Sequence, residues 1–222
     1  MNIIIKMCGN RSHEDLVNAT KSGADLLGII FADAWRKIAV EDAKMILDKF
    51  RNSIELPPQI VGVFVNQPID EVNKTALDLD LDMVQLHGEE DQVYWDKIKK
   101  PLIIAKRVQL NANNDQIDQL LIPVLEYTEK MDYICLIEPY SKKHLGGGGV
   151  SLDLNTAEKI SGKFPVLMAG GLNPNNVSDV IKSVKPWGVD VSSGVESNNI
   201  KDPEKVARFI YEARKASTSI TR

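Results

Sequence analysis

The chain has 222 residues, of which 43% are hydrophobic and 26% charged, with a net charge of −4 and two cysteines, Cys8 and Cys135. That balance suits a globular protein with one substantial core over residues 1–222 and excludes a disulfide-stapled secreted scaffold. No apolar run approaches the ~20 residues of a membrane span, the opening MNIIIKMCGN is too short for a signal segment, and no basic footprint for nucleic acid is present. The expected location is the cytoplasm. The densest basic group, Lys97, Lys99 and Lys100 with Lys106 and Arg107, reads as solvated surface.

Ile3–Met7 reads as the first strand, and Ser12 to Asp15 has the outline of a capping box, with Asp in place of the usual Glu. A strand over Leu26–Phe31 and a helix over 41–50 follow, then a strand over Gln59–Val65 and a helix over 68–78. Met83–Leu86 is the fourth strand, 90–98 a helix, Leu102–Val108 the fifth strand and 112–124 a helix. Tyr133–Ile137 is the sixth strand, and the glycine-rich stretch 141–149 after it reads as a mobile loop. Val166–Ala169 precedes a helix over Asn173–Val184, where Val177, Val180, Ile181 and Val184 fall at i, i+3, i+4 and i+7 and Asn173-Pro174 serves as N-cap and N1. Gly188–Val191 is the eighth strand, and Asp202-Pro203 opens a last helix built on Val206, Phe209, Ile210 and Ala213.

Each strand is a short β-branched run bounded by polar residues, as expected of a strand buried on both faces. Strict alternation with helices implies parallel strands and right-handed crossovers. Eight such units predict a closed (β/α)8 (TIM) barrel rather than an open doubly wound sheet. A dinucleotide-binding sheet would carry G-x-G-x-x-G after its first strand, whereas this one ends in Cys8-Gly9-Asn10-Arg11.

In such a barrel the chemistry sits at the C-terminal ends of the strands. Two turns there, Ala169-Gly170-Gly171 and Ser192-Ser193-Gly194, end strands seven and eight. Their backbone N–H groups can cradle a phosphate; otherwise they are tight turns. Cys8 shares a strand face with Lys6. It is either a small core residue or a thiolate whose pKa a nearby cation lowers, while Cys135 reads as core. Lys6 would point into the barrel and is expected to pair with Asp190. Glu138, closing strand six, is either a salt-bridged rim residue or a general acid with a pKa raised by partial burial. Gln85 and His87 end strand four, and Arg36 follows strand two.

These residues spell a family. Lys6-Met-Cys-Gly9, Leu27-Gly-Ile-Ile-Phe31 with Arg36, Val61-Gly-Val-Phe-Val-Asn66, Val84-Gln-Leu-His-Gly88, Ala169–Val177 and Gly188–Glu196 resemble, in order, the motifs of phosphoribosylanthranilate isomerases. The resemblance runs from about residue 3 to residue 215. It implies an Amadori rearrangement in tryptophan biosynthesis on a small phosphorylated substrate, with no metal or cofactor, in a monomer or homodimer. A carboxylic acid would open the sugar ring, and a thiolate, mapped onto Cys8, would take the C2′ proton. Arg36 matches the arginine placed near the anthranilate carboxylate. Lys6, Gln85, His87 and Asp190 would contact substrate, and Gly170, Gly171, Ser192, Ser193 and Gly194 would hold its phosphate.

The chain departs from the family at strand six. The family acid is an aspartate, followed by a G-G-[TS]-G-K type loop, whereas here Glu138 stands in the acid's place and Gly148 and Val150 replace the Thr/Ser and Lys. A glutamate protonates an oxygen as readily as an aspartate, with unperturbed pKa values ~0.4 units apart, so reach is what changes. Two alternatives stay open, a related phosphate-binding barrel acting on another phosphosugar and a decayed barrel that only binds a phosphometabolite.

Overall fold

The computed structural model describes residues 3–109, 112–131, 133–139 and 154–219. Eight parallel strands close into a barrel in chain order: β1 (Ile4–Met7), β2 (Leu26–Ile30), β3 (Gln59–Phe64), β4 (Met83–Leu86), β5 (Leu102–Val108), β6 (Ile134–Pro139), β7 (Val166–Met168) and β8 (Gly188–Val191). Lys6 lies opposite Leu26 on one side and Asp190 on the other, so β1 seals the cylinder between β2 and β8. The helices are α1 (His13–Ser22), α2 (Val40–Ser53), α3 (Ile69–Asp78), α4 (Gln92–Trp95), α5 (Asn114–Met131), α6 (Leu154–Lys163), α7 (Val177–Val184) and α8 (Pro203–Thr218).

Strand alternation divides the apolar residues into two bodies. Outward side chains pack against the helices in one continuous layer that includes Ile5, Leu27, Phe64, Leu47 and Phe209. The inward set, Leu26, Val61, Met83, Ile103, Ala105, Leu136, Leu167 and Ala169, fills the barrel. Each inward face changes character as it climbs: Ile4 gives way to Lys6, Met83 to Gln85, Ile103 and Ala105 to Arg107, Leu136 to Glu138. The lower barrel is therefore an apolar plug, and its polar rim is the site.

The expected caps of the first and last helices are present. Ser12 accepts from the Asp15 N–H while the Asp15 carboxylate answers the Ser12 N–H, and Asp202 caps α8 with Pro203 at its first position. Three helical expectations are corrected. α7 begins at Val177 rather than Asn173, because residues 173–176 form a turn in which the Asn173 carboxamide oxygen accepts from the Asn175 N–H at 2.9 Å and the Asn176 one from the Asn173 N–H at 2.8 Å; asparagine side chains bonding local backbone compete with helix in this way. α5 runs through Pro123 to Met131, seven residues beyond the expected end, since Ile117, Leu121, Val124, Tyr127 and Thr128 keep one face buried past the proline. α6 has no counterpart among the expected helices; its buried side chains, Thr156, Ala157 and Ile160, are too few and too small to announce it. The expected loop over 141–149 lies outside the described residues.

After β8 the chain makes one 3-10 turn (Ser193–Val195) and a two-stranded hairpin, β9 (Glu196–Ser197) with β10 (Ile200–Lys201). Asn198 and Asn199 both have positive φ, 52° and 62°, which is what a two-residue hairpin turn requires. The register sets Glu196 opposite Lys201.

Candidate active site

The C-terminal rim of the barrel opens on a cavity of about 240 Å3. Every site residue expected from the sequence lines it except Lys6, which is buried beneath. Lys6 has no exposed surface, and its Nζ donates to Asp190 Oδ1 at 2.8 Å, so the expected pair is formed across the β1–β8 seam. Burial alone would drive the ammonium to lose its proton, but the Asp190 carboxylate and the nearby Cys8 thiol hold its pKa above the ordinary lysine value.

Cys8 follows β1 directly, its N–H donating to the Val191 carbonyl at 2.8 Å. Gly28 on β2 leaves the thiol its space, since a Cβ there would stand 2.8 Å from Cys8 Sγ. Of the two readings left open for Cys8, the structure does not give the lowered pKa: burial pushes the thiol up, Asp190 adds to the effect, and the pull of Lys6 and Lys201 does not overcome them. Cys135, enclosed in the wall at β6, is pushed up to about 12 by burial.

Glu138 stands at the end of β6 among three polar side chains. His87 Nε2 lies 2.7 Å from its Oε1, and Arg107 Nε donates to the same oxygen at 3.0 Å. Gln85 Nε2 lies 3.0 Å from His87 Nδ1, so the amide holds the far side of the ring. Burial would raise the Glu138 pKa, as the general-acid reading has it, but the bonds and charge of His87 and Arg107 outweigh it and hold the carboxyl below its usual range, as the salt-bridged reading has it. Arg107, expected on the solvated surface, sits instead on the inward face of β5, in register with Glu138. Strand parity with Ala105 is the signal that places it there.

Arg36 lies across the cavity. Its Nε and Nη2 donate to the two oxygens of Glu196, each at 2.9 Å, and its guanidinium stacks 3.9 Å from the centroid of the Trp35 ring. Lys201 Nζ donates to Glu196 Oε1 at 3.0 Å and to the Ser192 carbonyl at 2.8 Å. Desolvation would raise the Glu196 pKa, yet Arg36 and Lys201 hold it below the usual range. The sequence motif contains Glu196 without giving it work to do; the Asn-Asn turn that pairs it with Lys201 is the missed signal.

The two glycine turns complete the rim. Gly170 and Gly171 both take left-handed φ, 94° and 64°, which only glycine adopts freely. A Cβ on Gly194 would fall 1.8 Å from the Leu172 carbonyl oxygen, so the loops after β7 and β8 touch backbone to backbone. Among the described residues, Ser192 Oγ between them is buried with no hydrogen-bond partner, as is Gln85 Oε1 deeper in the cavity. Unpartnered buried polar atoms beside a cavity are what an incoming polar ligand satisfies. Among the described residues no group of three or more His, Cys, Asp or Glu is placed to hold a metal ion, and no helix is long and apolar enough to cross a membrane.

Comparison with known proteins agrees with this geometry. A profile of N-(5'-phosphoribosyl)anthranilate (PRA) isomerases matches residues 5–212. The N-(5'-phosphoribosyl)anthranilate isomerase of Roseiflexus castenholzii is 37% identical over 218 residues, covering 97% of this chain and all of that one. The crystal structure of phosphoribosyl anthranilate isomerase from Thermotoga maritima superposes with a TM-score of 0.81 at 32% identity, covering 96% of this chain and 99% of its own. A phosphoribosyl anthranilate isomerase in complex with reduced 1-(o-carboxyphenylamino)-1-deoxyribulose 5-phosphate superposes at 0.74 with the same identity and coverage. A thiol, a carboxyl and a pair of glycine turns gathered on one barrel rim, together with a match along almost the whole chain, place it in the phosphoribosylanthranilate isomerase family.

Proposed function

We propose that this site converts N-(5'-phosphoribosyl)anthranilate to 1-(2-carboxyphenylamino)-1-deoxyribulose 5-phosphate, the aldose-to-ketose step of tryptophan biosynthesis. The observation that carries the proposal is that Cys8 and Glu138, from β1 and β6, line one cavity whose far wall is the paired turns at Gly170-Gly171 and Ser192–Gly194. The substrate phosphate rests on those turns, taking up Ser192 Oγ. The anthranilate carboxylate meets the Nη1–Nη2 edge of Arg36, the edge that Glu196 leaves, so the fork is anchored on one side and offered on the other.

Glu138 gives its proton to the furanose ring oxygen; the C1′–O bond breaks and the anthranilate nitrogen lone pair forms the Schiff base. The Cys8 thiolate then takes the C2′ proton, yielding the enolamine, which tautomerises to the ketone. Lys6, charged beneath Cys8, stabilises that thiolate, and Asp190 keeps Lys6 charged. His87 and Arg107 receive the negative charge that returns to Glu138 as its proton leaves.

Turnover of freshly generated phosphoribosylanthranilate, followed by loss of anthranilate-type fluorescence, tests the assignment. Wild type turns over, while Cys8→Ala and Glu138→Gln bind the reduced product analogue without turnover. A wild type that binds the analogue but leaves substrate untouched overturns the activity, and variants as fast as wild type overturn the two roles.

A further inference from the structure

Glu138 is where this chain departs from its family, and its surroundings show how a longer acid is held. β4, β5 and β6 are consecutive in the barrel, and their C-terminal ends deliver Gln85 with His87, Arg107 and Glu138 to one place. Arg107 and Glu138 are register partners, so the guanidinium reaches the carboxylate from the adjoining strand without a bend in the chain. The same guanidinium lies 3.5 Å from the His87 carbonyl, a long contact that still ties it to the strand on its other side. Both donors, His87 Nε2 at 2.7 Å and Arg107 Nε at 3.0 Å, converge on Oε1. None of the bonds among the described residues reaches Oε2.

We propose that Arg107 is the positioning residue that adapts this site to a glutamate, gripping Oε1 jointly with His87 so that Oε2 is the oxygen presented to the sugar ring. The proposal rests on Glu138 being the acid. A glutamate carries one more rotatable bond than an aspartate, and so more ways to stand off the ring oxygen; two donors on a single oxygen remove that freedom. Arg107 touches no reacting atom in this scheme and acts through Glu138. Among the described residues, the other titratable or charged groups around the same cavity are Cys8, Asp33, Arg36 and Asp190, with Lys6 beneath, and none of them bonds Glu138.

The test is a kinetic cycle on the full chain with phosphoribosylanthranilate as substrate, comparing Arg107→Ala, Arg107→Lys, Glu138→Asp, the Arg107→Ala/Glu138→Asp pair and Glu138→Gln. Since a ~1 Å misplacement can cost ~10²-fold in rate, Arg107→Ala should lower kcat by about 10- to 100-fold while KM moves less than about threefold. Arg107→Lys should recover part of the rate. The loss on removing Arg107 should be much smaller in the Glu138→Asp background than in wild type, because there is no longer a longer side chain to restrain. The acidic limb of kcat/KM should also move to higher pH in Arg107→Ala, since a cation beside a carboxylate favours its ionised form. A merely structural role would lower the denaturation midpoint and leave that limb in place. Equal losses in both backgrounds, a rise in KM without loss of kcat, or an unmoved limb overturn the proposal. Full turnover by Glu138→Gln would instead overturn the acid assignment beneath it.

Discussion

Replacing Asp190 by Asn keeps the side-chain shape and removes the charge that Lys6 depends on. Lys6 has no exposed surface and its Nζ lies 2.8 Å from the Asp190 carboxylate, so no water can take over. The folded variant can leave an ammonium unpaired in the barrel or release its proton. At pH 7, releasing a proton from a group whose unperturbed pKa is about 10.4 costs about 1.36 × 3.4, or roughly 4.6 kcal/mol. That agrees with the ~3–5 kcal/mol expected on breaking a buried pair. Cys8 could give up a proton instead and act as counter-ion, so the comparison belongs in a Cys8→Ala background.

The pH dependence has a definite sign. In the variant the unfolded chain binds a proton at Lys6 that the folded chain does not, so its stability rises with pH by ~1.4 kcal/mol per unit up to about pH 10. With Asp190 present, the folded Lys6 pKa is raised, so its contribution is fully present below the unfolded value and is lost only above it. The gap between the two proteins should therefore shrink from roughly 4.6 kcal/mol at pH 7 to roughly 1.9 kcal/mol at pH 9. Urea unfolding at pH 7, 8 and 9 measures it. A gap under ~1 kcal/mol at pH 7, or one that does not change with pH, would refute the reasoning.

Glu196→Gln leaves two nearly buried cations, Arg36 and Lys201, without their shared anion; it should cost about 3–5 kcal/mol in urea unfolding and raise KM more than it lowers kcat, and a variant as stable as wild type would mean the cluster is solvated. Gly194→Ala forces the Leu172 carbonyl away and should weaken binding of the reduced product analogue at least tenfold by calorimetry. Gly162→Ala, where an added Cβ meets nothing within 4 Å on α6, should bind as wild type does and gain about 0.5–1 kcal/mol. Because burial holds Cys8 protonated in the free protein, iodoacetamide should label it more slowly at pH 7 than a free thiol and faster as pH rises, with Cys135 labelled only on unfolding; rapid labelling at pH 7 would contradict that.

The barrel is legible in the sequence because eight β-branched runs and their spacing are local properties of the chain. Parity along a strand, with the closure of first strand on last, is enough to pair Lys6 with Asp190. Features that depend on register between strands are not legible. Arg107 looks like one more surface cation beside Lys106, and only its place opposite Glu138 shows its use. Glu196 and Lys201 meet because two asparagines accept positive φ in the turn between their strands. The proton affinities of Cys8 and Glu138 both run opposite to the base and acid readings of the sequence, and with the buried-thiol and salt-bridged alternatives. Residue type and burial class are visible in a sequence, but the balance between desolvation and a donor at 2.7 or 3.0 Å is not.

That balance bears on how the site works. Before substrate binds, Cys8 holds its proton and Glu138 has lost its own, whereas the proposed chemistry needs the thiolate and the protonated acid. The two arrangements contain the same number of protons. Between the two pKa values, therefore, a change of pH does not alter the fraction of productive enzyme, which is fixed by the gap between them. With those roles, activity should fall below the Glu138 pKa because both groups are protonated there, and above the Cys8 pKa because neither is. The acidic limb of the rate profile thus reports the acid and the alkaline limb the base, the reverse of the usual assignment. Lys6, held charged by Asp190, narrows the gap from the cysteine side by favouring the thiolate, while His87 and Arg107 widen it from the glutamate side. In the proposed scheme, what Arg107 gives in placing Oε2 it takes in the population of the acid, and the rate should be set where those two effects meet.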